Sequence, residues 1–278
     1  MDEDESLEHT RAPLIEHLIE LRQRLIWSLV GFVIMTTFSL FFAAEIYDFL
    51  TRPLRIELIA RGQDPKLIYT QLYEKFFVHL KLGIFGGIFL AFPVIAFQIW
   101  RFVAPGLYRN ERGAFLPYLI ATPVLFLAGA AFVYFLIMPL AIRFFLDFQA
   151  VGGEGETGIE FLGKVNEYLS LVITFILAFG ICFQLPVLLT LMARVGLTSA
   201  AALVRVRRYA IVAIASVAAV LTPPDVLSQF GLGVPMYALY EISIVLVRLM
   251  EKRREARLRA EGLWVEDEEA GPAGEAQK

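Results

Sequence analysis

Leu82-Gly83-Ile84-Phe85-Gly86-Gly87-Ile88-Phe89-Leu90-Ala91-Phe92-Pro93-Val94-Ile95-Ala96-Phe97-Gln98-Ile99-Trp100 contains no Asp, Glu, Lys or Arg. A bilayer's hydrocarbon core is ~30 Å thick, and about 20 apolar residues of helix cross it. Three more stretches, Leu25–Ala44, Ala114–Ile142 and Tyr168–Ala193, are equally free of formal charge. A fifth, Tyr209–Tyr240, is broken by Thr222-Pro223-Pro224-Asp225 and reads as two shorter helices. A soluble core accommodates one such stretch but not a series of them. In lipid every backbone amide must be satisfied within the protein, and nothing here alternates like barrel strands, so the spans are helices. The expected fold is an all-α integral membrane protein with six transmembrane helices.

Composition agrees. Of 278 residues, 58% are hydrophobic and 19% charged, against ~45–50% and ~25% in ordinary soluble domains. A net charge of −3 gives no sign of a nucleic-acid partner. The single cysteine, Cys182, excludes a disulfide framework within the chain. Asp2, Glu3, Asp4 and Glu5 are the opposite of the positive start of a cleavable signal.

Charge sets the expected topology. Six spans place both ends on one side, where seventeen Lys and Arg fall, against seven on the other. Excess Lys and Arg marks the cytoplasmic side, so both termini are expected there. Residues 1–24 form a cytoplasmic tail and amphipathic helix, 25–248 the six-span core, and 249–278 a charged cytoplasmic tail. The first half of that tail extends the last helix, and Glu266 onward reads as disordered. Outside, residues 45–75 carry Ile46, Phe49, Leu50, Leu54 and Leu58 at helical spacing with Pro53 among them, the pattern of an amphipathic helix. Residues 149–164, rich in glycine and acids, read as a loop.

Tyr209–Leu221 and Val226–Tyr240 rise only ~20 and ~22 Å at 1.5 Å per residue. Either the bilayer thins beside them or they form an ordinary hairpin whose ends recruit neighbouring residues such as Glu241–Val247. Pro223 and Pro224 suit the reversal between them.

Few polar groups lie inside the spans. Lys81 sits at the outer margin of the second and snorkels to the interface. Gln184, two residues before Pro186, needs a hydrogen-bonding partner or a water-filled cavity. Glu241 is an intramembrane carboxylate, a functional candidate by default, or a carboxylate at a headgroup boundary. Gly83 and Gly87 form a GxxxG pair that lets another helix approach closely, though glycine is common in membrane helices. No nucleophile elbow, P-loop or HExxH occurs, and His9, His17 and His79 form no ligand set, so neither an enzyme nor a cofactor is expected.

Two acids stand among the arginines of the cytoplasmic face. Glu20 lies on the amphipathic helix Pro13–Leu25, with Glu16 and Arg24 at four-residue spacing. Glu111 lies in the stiff loop Arg101–Arg112. From the residues alone, each either neutralises an arginine of its own segment or faces an incoming ligand.

Several motifs together are familiar: His17-Leu18-Ile19-Glu20-Leu21-Arg22, Pro93-Val94 with Gln98-Ile99-Trp100, Phe102-Val103-Ala104-Pro105-Gly106-Leu107-Tyr108, Asn110-Glu111-Arg112, and Leu221-Thr222-Pro223-Pro224-Asp225. In this order, from about residue 12 to 248, they resemble the TatC family, the multispanning subunits of twin-arginine protein translocases. The resemblance implies a concave, glove-shaped bundle with both ends cytoplasmic in a bacterial inner membrane. It implies a non-enzymatic core receptor that binds twin-arginine signal peptides and exports folded cargo using the protonmotive force. It implies the single-span partners TatA and TatB beside the short fifth and sixth helices, and multiple copies in the complex. Carried over by position, Glu20 and Glu111 recognise the paired arginines, Arg22 and Phe102 belong to the same patch, and Pro53 and Asp225 match further positions the family uses. One departure is Gln184, where many relatives carry Glu; an amide cannot ionise. The chemistry fits, since a guanidinium presents a fork that a carboxylate accepts in two places. A second reading is a proton-coupled small-solute secondary transporter, with Gln184 and Glu241 lining its path.

Overall fold

The computed structural model describes residues 2–103, 115–149, 161–221 and 226–260. Among them the chain is helical, with no strand beyond one isolated parallel bridge between Ile68 and Lys164. The order is α1 (Asp2–Leu40), α2 (Ala43–Ala60), α3 (Glu74–Val103), α4 (Phe115–Phe132), a π-helical turn (Val133–Ile137), α5 (Met138–Leu146), α6 (Val165–Cys182), α7 (Leu185–Arg194), α8 (Ala200–Leu221) and α9 (Val226–Ala260). Five helical segments among the described residues are long and apolar enough to cross a membrane: His17–Leu40, Glu74–Phe102, Pro117–Leu146, Val165–Arg194 and Ser228–Arg257.

α8 is not among these, because only part of it is apolar. It spans 22 residues, longer than the 13-residue apolar stretch, since it starts at Ala200 and takes in Arg205, Arg207 and Arg208. Its first turn is fixed by donors that would otherwise be orphaned. Ala200 donates its N–H to the Glu251 carboxylate at 2.9 Å, and Ala202 donates to Ser199 Oγ at 3.1 Å. α9 likewise runs on through the charged residues to Ala260.

Prolines reshape two spans that read as uninterrupted in sequence. The fourth is broken into α6 and α7 at Phe183-Gln184, because Pro186 has no N–H to donate back to Cys182 and its ring collides with that carbonyl. The third widens before Pro139, where Met138 N–H reaches back five residues to Val133 O. A wider turn of this kind keeps a helix continuous where an ordinary turn is blocked.

α1 packs along α3 through the glycines picked out in sequence. A methyl group added at Gly87 would lie 2.6 Å from Thr36 Cα, and one at Gly83 would lie 2.2 Å from Leu40 Cδ2. Between them, Gly86 takes Ser39 Oγ, with an added methyl only 2.0 Å away. The Thr36 and Ser39 hydroxyls are buried in these notches. The rest of α1 is open: Leu25, Leu29, Val33 and Ile34 are exposed, as expected of a helix bathed in lipid.

The main core lies on the other side of α3. Leu50, Leu54 and Leu58 of α2 meet Val78 and Leu82 of α3, Met138 and Ile142 of α5, and Leu169, Phe175 and Phe179 of α6. A smaller cluster of Leu203, Tyr240, Ile244 and Val247 joins α8 to α9. Turning-off points use glycine where the backbone goes left-handed: Gly62 after α2 (φ 73°) and Gly196 after α7 (φ 79°).

The two outer loops are stitched together. Ile68 N–H donates to Gly163 O at 3.0 Å and Val165 N–H donates to Ile68 O at 3.2 Å. The buried carboxylate of Glu74 accepts from Thr70 N–H (2.7 Å), Gln71 N–H (3.3 Å) and Asn166 N–H (3.2 Å). Lys81 does not simply snorkel: its ammonium donates to Asn166 Oδ1 and to Ser170 Oγ, tying α3 to the start of α6.

Candidate functional site

Glu20 lies on α1 at the end of the bundle opposite α2. Its carboxylate accepts Arg24 Nη2 at 3.0 Å, one helical turn away. The side chains are 31% and 23% exposed, so this pair is partly screened by water and weakly held, at ~0.2–1 kcal/mol. Arg24 engages one oxygen of the acid. A carboxylate has two oxygens and about four acceptor directions, and among the described residues Oε2 has no partner.

Phe102, at the end of α3, comes to the same place. Its ring stacks on His17 with centroids 4.3 Å apart and planes 18° from parallel. His17, Glu20 and Arg24 fall at three- and four-residue spacing, hence on one side of α1. Arg101 beside Phe102 leans over the Phe97 ring at 5.8 Å. Arg22 is exposed and sits two residues from Glu20, about 200° round the helix. Glu20 and Phe102 are thus brought together through His17, while Arg22 leaves the helix in another direction. Glu111 lies outside the described residues, as do Asp225 and the tail from Glu266.

Pro53 gives the opposite end a second constellation. Inside α2 it cannot donate to the Phe49 carbonyl, and its ring pushes that carbonyl aside. The Tyr134 hydroxyl donates to Phe49 O instead, at 2.9 Å, while its ring stacks on Phe49 at 4.3 Å. Tyr168 donates its hydroxyl to the next carbonyl, Leu50 O, at 3.0 Å. Tyr134 belongs to the π-turn and Tyr168 to α6, so one proline pins α2 to two spans. Sequence reasoning marked Pro53 but not its two tyrosines. The available signal was that a helix-interior proline orphans carbonyls, which a hydroxyl inside an otherwise apolar span can satisfy.

Gln184 caps the break between α6 and α7. Its amide nitrogen donates to Thr122 O at 3.1 Å and Gly180 O at 3.3 Å. Among the described residues its buried Oε1 accepts no hydrogen bond. Thr122 extends this polar line, accepting Trp100 Nε1–H at 2.9 Å. The partner expected for Gln184 is therefore a pair of backbone carbonyls, which suit an amide and not a carboxylate.

Glu241 on α9 is held by Arg207 of α8, with nitrogen–oxygen distances of 2.7 and 3.0 Å. Tyr237 adds a hydroxyl at 2.6 Å. One hydrogen bond, from Nη2 to Oε2, and the close approach of Nε to Oε1 let α8 retain an arginine close to its apolar part. No group of three or more His, Cys, Asp and Glu able to hold a metal occurs among the described residues.

Comparison with known proteins converges on one family. Residues 16–235 match the family model of the Sec-independent protein translocase protein TatC. The chain is 47% identical over 262 residues to the Sec-independent protein translocase protein TatC of Magnetococcus marinus, covering 92% of each. It is 37% identical over 243 residues to that of Escherichia coli strain K12, covering 87% of this chain and 90% of the relative. Among solved structures it is similar to a crystal structure described as the twin arginine translocase receptor TatC, with a TM-score of 0.73 and 35% identity over 84% of this chain and 98% of that one.

Proposed function

This chain belongs to the TatC family, multi-pass subunits of the twin-arginine translocase in the bacterial inner membrane, and on that premise we propose that it is the receptor for twin-arginine signal peptides. Glu20 and Glu111 take one guanidinium each, at the end of the bundle where α1 meets the end of α3. The observation that carries the reading is the placement of Glu20: a half-buried carboxylate whose Oε2 has no partner among the described residues, one turn along α1 from His17, which stacks on Phe102. Phe102 offers an apolar surface to the residues that flank the arginines. Glu111 follows it by nine residues in sequence, short enough to return to the same surface.

Selectivity for arginine over lysine follows from shape. The guanidinium fork can bond both Oε2 and a neighbouring acceptor, whereas an ammonium is a strongly hydrated point charge. Arg24 provides the resting counter-ion, so Glu20 is not an uncompensated charge before cargo arrives. Exchanging one exposed pair for another costs little, and the gain comes from the second acid and the partial exclusion of water.

In this account the translocase subunit carries folded cargo across the membrane at the expense of the protonmotive force, with TatA and TatB as single-span partners. The six-span arrangement is completed by α8, whose outer face is exposed at Tyr209, Val212 and Val220. That apolar face, on a helix too polar at its start to span alone, supports docking of a partner helix there. Both ends of the chain are cytoplasmic in the orientation the basic residues favour. Purified protein titrated with a labelled twin-arginine signal peptide tests the reading. The Glu20→Gln, Glu111→Gln double variant should bind at least tenfold more weakly, and unaltered affinity removes the assigned site.

A further inference from the structure

A groove of about 720 Å³ opens beneath α2, between the end of α1, the middle of α3, the end of α4 and the π-turn. Its walls include Phe42, Phe85, Phe89, Leu127 and Phe135, and it lies at membrane depth, where an apolar cavity fills with hydrocarbon rather than water. Glu45 and Phe49 form its α2 edge. On that same exposed side of α2, within the next two turns, stand Arg52 and Arg55. Tyr134, whose ring stacks on Phe49, lines the groove as well.

These two arginines differ from their neighbours. Arg61 and Arg143 are committed to Asp147 and Glu57 at 2.7 and 3.0 Å. Among the described residues Arg52 and Arg55 have no ion-pair partner. Exposed Ile56 and Ile59 flank them, so this face of α2 is apolar and cationic together, as at a headgroup boundary.

We propose that the groove and the two arginines form a glycerophospholipid site, with an acyl chain between α1, α3 and the π-turn and the phosphodiester on Arg52 and Arg55. A guanidinium fork matches phosphate oxygens and stays charged under all conditions. Glu45 at the rim disfavours a second phosphate and accepts a hydroxyl or ammonium group from the rest of the headgroup. The site owes nothing to the signal-peptide reading, since it occupies the other end of the bundle.

Native mass spectrometry of the full-length protein, released from detergent with added lipid, tests this. Palmitoyl-oleoyl phosphatidylethanolamine and phosphatidylglycerol are compared with monoolein, which has a chain but no phosphate. The wild type should retain one molecule of either phospholipid in preference to monoolein. Arg52→Gln with Arg55→Gln should weaken phospholipid retention about tenfold, the loss of a charge-assisted pair, and leave monoolein unchanged. Ala131→Trp, at an exposed position on the groove wall, should reduce retention of all three lipids. Equal retention of phospholipid by the wild type and the arginine double variant would overturn the phosphate site. Equal retention by Ala131→Trp would overturn the chain site. Circular dichroism on each variant confirms that the helices are intact.

Discussion

Gly83 and Gly87 look alike in sequence but should respond differently to the same substitution. Alanine at Gly87 puts its methyl 2.1 Å from Thr36 Oγ1, 2.8 Å from Thr36 Cβ and 2.6 Å from Thr36 Cα. The hydroxyl can rotate away; the Cα cannot, so α1 must move as a body. Overpacking of this kind costs typically ~1–3 kcal/mol. Because the obstruction is backbone, the upper part of that range, ~2–3 kcal/mol, applies. Alanine in place of a helical glycine returns up to ~1 kcal/mol of conformational entropy, leaving a net loss of about 1–2 kcal/mol. At Gly83 the obstructing atoms are Leu40 Cδ2 and Cγ, at 2.2 and 2.6 Å, with Leu40 Cα at 3.4 Å. A leucine can change rotamer at ~0.5–1.5 kcal/mol, roughly cancelled by the alanine gain. Thermal unfolding in detergent should therefore place Gly87→Ala about 2–8 °C below the wild type, taking ~2–4 °C per kcal/mol for a chain of this size. Gly83→Ala should stay within about 2 °C. If Gly83→Ala proves the more damaging, or if both are neutral, the close approach of α1 to α3 is not what the glycines provide.

Removing the hydroxyl in Tyr168→Phe should destabilise by ~1–3 kcal/mol, because the Leu50 carbonyl loses its donor in an apolar setting; hydrogen exchange should show α2 loosening ahead of the other helices. Combining Tyr134→Phe with Pro53→Ala should cost less than the sum of the two single changes, since alanine restores an N–H for Phe49 O; strict additivity in a double-mutant cycle would deny that Tyr134 answers Pro53. Gln184→Glu should lower thermal stability at neutral pH by ~1–3 kcal/mol, because it aims a carboxylate at the Thr122 and Gly180 carbonyls; a variant as stable as the wild type would contradict the amide assignment. Arg207→Gln should cost about 1 kcal/mol or less, given that both members of the Glu241 pair are about one-third exposed; a loss of several kcal/mol in thermal unfolding would mean that the pair is desolvated.

Much of this architecture was legible from residue patterns. The length and purity of Leu82–Trp100 leave little choice but a membrane helix, and Leu50, Leu54 and Leu58 at four-residue spacing announced the buried side of α2. Glycines spaced by four foretold a close helix pair, though not which helix would enter; only the packed structure identifies α1, through Thr36, Ser39 and Leu40. The fourth span shows where pattern reading ends. Its apolar run continues unbroken through Phe183 and Gln184, yet Pro186 divides it, because hydrophobicity reports the environment of a segment and not the continuity of its hydrogen bonds. Glu20 was legible as an acid among bases. Its partner Arg24 was one of two outcomes the spacing allowed, and the structure supplies it. The stack of His17 on Phe102 joins residues 85 positions apart, a distance at which periodicity carries no information.

The central claim is that Glu20 and Glu111 together grip a pair of arginines. Its most direct test is the affinity of the purified protein for a twin-arginine signal peptide, measured with the wild type, each single Glu→Gln variant and the double. The account predicts a loss in each single variant, a loss of at least tenfold in the double, and a similar loss when the wild type meets a Lys-Lys peptide. An affinity indifferent to both acids, or equal for Arg-Arg and Lys-Lys, would contradict it.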